Sequence, residues 1–157
     1  MHMKDAAVKE HFKALRSEMI FSFIDDDDAE KIISFFEKVD YPVGSVVFRE
    51  GDPGDFIGFV VTGKLEVKKQ TEFKGNQLII ALLSSGALVG ELSIFDQHKR
   101  SATVEAVEDT TMLILRSTSL EALLQQHSYT GTKLLKGLIR ILALRLRKAT
   151  ERLTTIF

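Results

Sequence analysis

The chain has 157 residues, 45% of them apolar and 27% charged, which suits one globular domain rather than a disordered chain. Its 21 Lys and Arg against 22 Asp and Glu leave a net charge of −1, so bulk charge does not draw it to nucleic acid. With no cysteine, and with His2, His11, His98 and His127 lacking metal-ligand spacing, a zinc site, thiol catalysis and a disulfide framework are not expected. No apolar run is long enough for a membrane helix, and the N-terminus lacks the apolar core of a signal peptide. A cytoplasmic, membrane-free protein of one domain over residues 1–157 is the expectation.

Residues 1–40 are predicted to form N-terminal helices, one over Lys4–Met19 and one carrying Ile32, Ile33, Phe35 and Phe36. Asp25–Asp28 precede that second run. Four aspartates invite a calcium-loop reading, but the central Gly and distal Glu of such a loop are not in register. Carboxylates at a helix start cap free N–H groups, and that is the reading adopted.

Residues 41–116 read as β. Val46–Phe48, Phe56–Val61, Leu65–Val67, Leu78–Leu83, Ala102–Ala106 and Met112–Leu115 are short β-rich runs punctuated by Gly. Gly51-Asp52-Pro53-Gly54-Asp55 is a turn by mechanism, since Pro fixes φ and Gly tolerates positive φ. The expected fold is mainly β: an antiparallel β-barrel of the jelly-roll (double-stranded β-helix) type, flanked by the N-terminal helices and a long C-terminal helix.

Residues 117–157 return to helix. Ser117–Gln126 is short, with Ser117 or Thr118 as its cap, and a longer helix starts near Thr130 or Thr132 and runs to about Leu153. At 100° per residue, Leu135, Leu138, Leu142, Leu146, Ala149, Leu153 and Ile156 form one stripe, widened by Leu134, Ile139 and Ile141. Lys133, Lys136, Arg140 and Arg147 take the other face, as a solvated surface. The apolar arc fits core packing alone, or core packing plus a helix–helix dimer seam, and its width favours the second. Arg145 falls inside this arc, where a charge should meet a partner or an anionic ligand.

The stretch that carries chemistry is Gly86-Ala87-Leu88-Val89-Gly90-Glu91-Leu92-Ser93-Ile94-Phe95, followed by Arg100-Ser101-Ala102-Thr103-Val104. Gly90 permits close approach of a ligand to the backbone. A helical turn over Glu91–Phe95 would aim free N–H groups beside it. Arg100 offers a two-pronged guanidinium to a phosphate, and Ser101 a hydroxyl. Glu91 would repel a bare phosphate, so its task is to accept a hydrogen bond from a ligand hydroxyl. A ligand with both a phosphate and a ribose hydroxyl fits the pair.

Over residues 15–153 the sequence resembles the cyclic-nucleotide-binding domains of the bacterial catabolite activator and of cyclic-nucleotide-dependent kinase regulatory subunits. The likeness rests on Gly44–Asp52, on Phe59–Val67, and on Gly90-Glu91-Leu92-Ser93 followed by Arg100-Ser101-Ala102-Thr103-Val104, in that order. It implies that Glu91 holds a ribose 2′-hydroxyl and that Arg100 pairs with the cyclic phosphate. Backbone amides near Leu92, Ser93 and Ser101 or Ala102 would assist. Val67, Ile80 and Val89 would line the pocket, and Arg145 and Thr150 of the last helix would lie near the base. Lys99 stands where the family commonly has proline. No helix-turn-helix segment follows the long helix, so DNA binding by this chain is not expected.

The function so implied is a non-catalytic regulatory module. It would bind cyclic AMP, with cyclic GMP possible and no metal, and move its C-terminal helix to signal. Its partner would be a second copy through that helix, or a regulated protein. The alternative is a protein-interaction scaffold that keeps the fold without the nucleotide.

Overall fold

The computed structural model describes residues 3–73 and 75–156, with the side chains of Leu92 and Ile156 outside the description. His2 lies outside the described residues. Two helices open the chain, α1 (Met3–Leu15) and α2 (Asp26–Ile32). The first ends at Leu15 rather than Met19, because Glu18 is extended and Met19–Phe21 forms a 3-10 turn. Asp25 caps α2 as expected: its side chain accepts from the Asp28 N–H at 2.8 Å, and Asp28 returns the bond to the Asp25 N–H at 3.2 Å.

Among the described residues eight strands follow: β1 (Glu37–Tyr41), β2 (Val46–Phe48), β3 (Phe56–Thr62), β4 (Leu65–Gln70), β5 (Gln77–Leu83), β6 (Leu88–Val89), β7 (Thr103–Ala106) and β8 (Thr110–Arg116). Between β6 and β7 lies α3 (Glu91–Asp96), and after β8 come α4 (Ser117–Gln126) and α5 (Ser128–Ile156). The strands make two four-stranded antiparallel sheets, ordered β1-β8-β3-β6 and β2-β7-β4-β5. Strands β1 and β8, β2 and β7, β3 and β6, and β4 and β5 all pair, as in a long ribbon folded back on itself and rolled.

Helix makes up 46% of the chain, so the fold is mixed α and β rather than mainly β. The difference comes from α5, at 29 residues, and from the packed N-terminal helices. Glu37–Asp40, read as helical, belong to β1, whose alternating burial is the period of a half-covered strand. Neither Ser117 nor Thr118 is the cap of α4. That position is Arg116, extended and without a side-chain cap. Helix α5 begins at Ser128, before both expected starts, and the Thr132 hydroxyl bonds back to the Ser128 carbonyl inside it.

The core has two compartments. One lies between the first sheet and the helices, with Phe12, Phe21, Phe36 and Phe59 in contact and Leu134 and Leu138 of α5 closing it. The other lies between the sheets, around Val60, Leu65, Val104 and Met112. Strand β3 is buried on both faces, which is why Phe56–Val61 reads as an unbroken apolar run. A Cβ on Gly58 would stand 2.3 Å from Cε of the buried Met112, so that side chain would have to shift to admit one. Among the described residues no helix is long and apolar enough to cross a membrane.

Candidate functional site

A cavity of about 440 Å³ opens at one end of the second sheet, within the size range of small-ligand sites. Strand β6 ends at Gly90, whose left-handed φ of 81° turns the chain into α3. The turn sets Glu91 and Ser93, both buried, against the cavity. The chain returns through a second left-handed residue, Gln97 (φ 59°), and reaches Arg100 just before β7.

Arg100 is only 2% exposed. Its Nη1 donates to the Gly90 carbonyl at 3.0 Å and its Nη2 to the Phe56 carbonyl at 2.7 Å. The guanidinium carbon lies 4.1 Å from the ring centre of Phe48 and 4.7 Å from that of Phe56. Among the described residues its Nε has no hydrogen-bond partner, and no carboxylate forms an ion pair with it. Burial pulls its pKa below the usual arginine value, against the more distant attraction of Asp55, Glu91 and Asp52. A desolvated cation held by carbonyls and ring faces still lacks a counter-charge, which an anion in the cavity could supply.

Glu91 is 8% exposed, and its Oε1 accepts from Nη1 of Arg145, so the middle of α5 is tied across the cavity to α3. The charge inside the apolar arc thus has its partner. The backbone between these groups is fixed from several sides. The Arg100 N–H donates to the Asp52 carbonyl at 2.7 Å, and the Gly51 N–H to the Arg100 carbonyl at 2.8 Å. Within that turn only Gly51 has positive φ. Gly54 is needed for space, because a Cβ there would stand 2.1 Å from Cβ of Ser93.

The expected residues converge in part. Gly90, Glu91, Ser93, Arg100, Ser101 and Ala102 line the cavity. So do Val67, Ile80, Val89 and Arg145. Leu92 lies in α3, but its side chain is outside the described residues. Thr150 is not at the cavity: it is exposed on α5, and its hydroxyl bonds the Leu146 carbonyl. Sequence reasoning missed Phe48 and Phe56, which come from β2 and β3 and pack their rings, edge to face with each other, against the guanidinium. Nothing in their spacing from Arg100 signals it. Among the described residues no cluster of His, Asp or Glu could hold a metal ion.

A family model described as "Cyclic nucleotide-binding domain" matches residues 38–127. The chain is 32% identical over 135 residues to the cyclic AMP receptor protein of Thermus thermophilus, covering 86% of this chain and 60% of that protein. It is 27% identical to a CRP-like cAMP-activated global transcriptional regulator of Mycobacterium tuberculosis, covering 87% of this chain and 59% of that one. The chain therefore spans about 60% of the length of these curated relatives. Among solved structures, a cyclic nucleotide-binding domain from Methylobacillus flagellatus superposes with a TM-score of 0.83 at 26% identity, covering 100% of this chain and 89% of that one. The catabolite activator protein of Thermus thermophilus gives 0.77 at 32% identity, covering 88% and 63%.

Proposed function

Because this chain belongs to the cyclic nucleotide-binding domain family, we propose that it is a non-catalytic regulatory module. Its ligand is a 3′,5′-cyclic nucleotide, cyclic AMP in preference to cyclic GMP, and it responds by moving α5. The observation that carries this is Arg100: a buried guanidinium with an unpartnered Nε, facing a cavity and paired with no carboxylate among the described residues. A cyclic phosphate supplies the missing anion. Ser93, Ser101 and Ala102 stand around the same space, and the Leu92 amide lies in the same turn. Glu91 accepts a ribose hydroxyl, and Val67, Ile80 and Val89 meet the apolar faces of sugar and base. The preference for cyclic AMP draws on the relatives, a cyclic AMP receptor protein and a cAMP-activated regulator, while the Ser101 hydroxyl suits adenine and guanine ligands alike.

The ligand hydroxyl and Arg145 share Glu91 as acceptor. A ligand shifts α5 only by binding its two positions unequally, and this shared acceptor provides the inequality. The moving helix would signal to a second copy of the chain or to a regulated partner, in the cytoplasm. Thr150 reaches the base only if α5 moves.

Isothermal titration of the folded protein with cyclic AMP and cyclic GMP tests the reading, with Arg100→Ala as control. Tight binding of one nucleotide, weakened about 100-fold or more in the variant, is expected. Absence of binding by the folded wild-type chain overturns it and leaves the scaffold reading.

A further inference from the structure

The anion site has a supporting group outside the cavity. Ser101 and Ala102 follow the buried arginine but lie outside the sheet ladder, which starts at Thr103. Their backbone is therefore held by ties other than strand pairing. On one side the Arg100 N–H and carbonyl are bonded to the turn at Gly51 and Asp52. On the other side stands Lys69, near the end of β4, whose ammonium donates to the Ser101 carbonyl at 2.7 Å. Glu50 completes the bracket. Its carboxylate lies 3.7 Å from the Lys69 ammonium and accepts the Gln70 N–H at 3.0 Å, while its own N–H donates to the Thr103 hydroxyl at 2.9 Å.

Lys68, the neighbour of Lys69, does something else: it pairs with Glu105 and Glu66 on the outside of the sheet. Strand alternation then puts Lys69 on the same face as Val67, which lines the cavity. The lysine, itself half exposed, stands outside the cavity and beside Ser101, one of the two residues that a phosphate bound at Arg100 would touch.

We propose that Lys69 is a positioning residue of the anion site. It fixes the Ser101–Ala102 backbone through the Ser101 carbonyl and so sets the geometry in which that backbone meets the phosphate. The inference rests on the cyclic-nucleotide reading for its ligand, but not for its structural content. Its effect falls on the phosphate and spares the nucleoside part of the ligand.

Lys69→Met and Lys69→Arg test it against the wild-type chain. In the ligand-free protein, NMR order parameters of the Ser101 and Ala102 amides should fall in Lys69→Met and recover in Lys69→Arg. Unchanged order parameters overturn the inference whatever binds. In titrations, Lys69→Met should weaken cyclic AMP about threefold to fivefold and leave adenosine unchanged, with recovery in Lys69→Arg. Equal loss for both ligands, or none for either, also overturns it. A wild-type chain that binds no cyclic nucleotide refutes the function proposed above, and the order parameters then decide the role of Lys69 alone.

Discussion

A guanidinium buried without a carboxylate is costly, and at Arg100 the neighbours that make it tolerable also aim it. Gly90 is the tightest of them. A Cβ there would stand 2.4 Å from Nη1 of Arg100 and 3.1 Å from the Phe56 carbonyl, on a backbone with φ of 81°. Gly44 has a similar φ of 87° but open space around the same position. Gly44→Ala should therefore report backbone strain alone, about 1–2 kcal/mol by urea unfolding. Gly90→Ala should cost more, because Arg100 can retreat only by giving up its bonds to the Gly90 and Phe56 carbonyls, and should weaken cyclic-nucleotide binding more than tenfold. Equal costs at the two glycines would show that the arginine is not wedged against Gly90. Gly90, Glu91 and Arg100 are legible in the sequence because a local turn carries all three within a short span. Phe48 and Phe56 are not, because their meeting with Arg100 depends on how two sheets close over each other. Thr150 lies away from the cavity for a different reason: the sequence fixes its place along α5, but the position of the helix decides what it touches.

Elements bring the same lesson at Asp28. The aspartate run is legible as a helix start, and Asp25 and Asp28 form the capping box. What the run conceals is a second task. Asp28 is 3% exposed, and its carboxylate also accepts from the Thr130 hydroxyl at 2.6 Å and the Lys133 ammonium at 2.7 Å. The lysine placed on a solvated face is thus an anchor joining α2 to the first turns of α5. Just beyond it, a Cβ on Gly137 would stand 1.8 Å from the Ile20 carbonyl, so the helix lies directly on the 3-10 turn of Met19–Phe21. Burial opposes ionisation of Asp28, yet the bonds from Lys133, Thr130 and Asp25 hold its carboxyl well below the usual carboxylate range. A carboxyl so depressed stabilises the fold above its unfolded pKa, near 3.9, and that contribution is lost as pH falls further toward the folded value. Asp28→Asn should cost about 2 kcal/mol at pH 7 in urea unfolding. The gap between variant and wild type should be flat down to about pH 5 and narrow below pH 4. A gap of the same size at pH 3 and pH 7 would mean that ionisation of Asp28 is not what anchors the helix.

For the whole molecule, the anchoring divides α5 into a docked half and a free half. Leu134 and Leu138 are 2% and 4% exposed and Ile141 and Leu142 still pack against the core, whereas Leu146 and Leu153 are 68% and 58% exposed. The stripe read from the sequence continues, but the protein's own core stops covering it. A helix of 29 residues is about 43 Å long, and it packs on the Met19–Phe21 turn, α4 and α2. An amphipathic segment that leaves its apolar side in water draws its stability from a partner rather than from propensity. Among the described residues, the tie between this free half and the sheet region is Arg145 on Glu91, the acceptor proposed for the ligand hydroxyl. Edge strand β5 exposes Leu78 and Leu82 as well, at 59% and 63%. These surfaces suit a second copy of the chain, packed helix against helix along the distal stripe. Sedimentation equilibrium should then find a dimer of the 157-residue chain, and Leu146→Glu with Leu153→Glu should convert it to monomer. Both positions lie beyond the docked half, so the variant should keep the circular dichroism of both sheets, and its α5 should lose helix only past the anchor. A wild-type chain that remains monomeric at high micromolar concentration would remove the self-association and point the free half of α5 at a different protein.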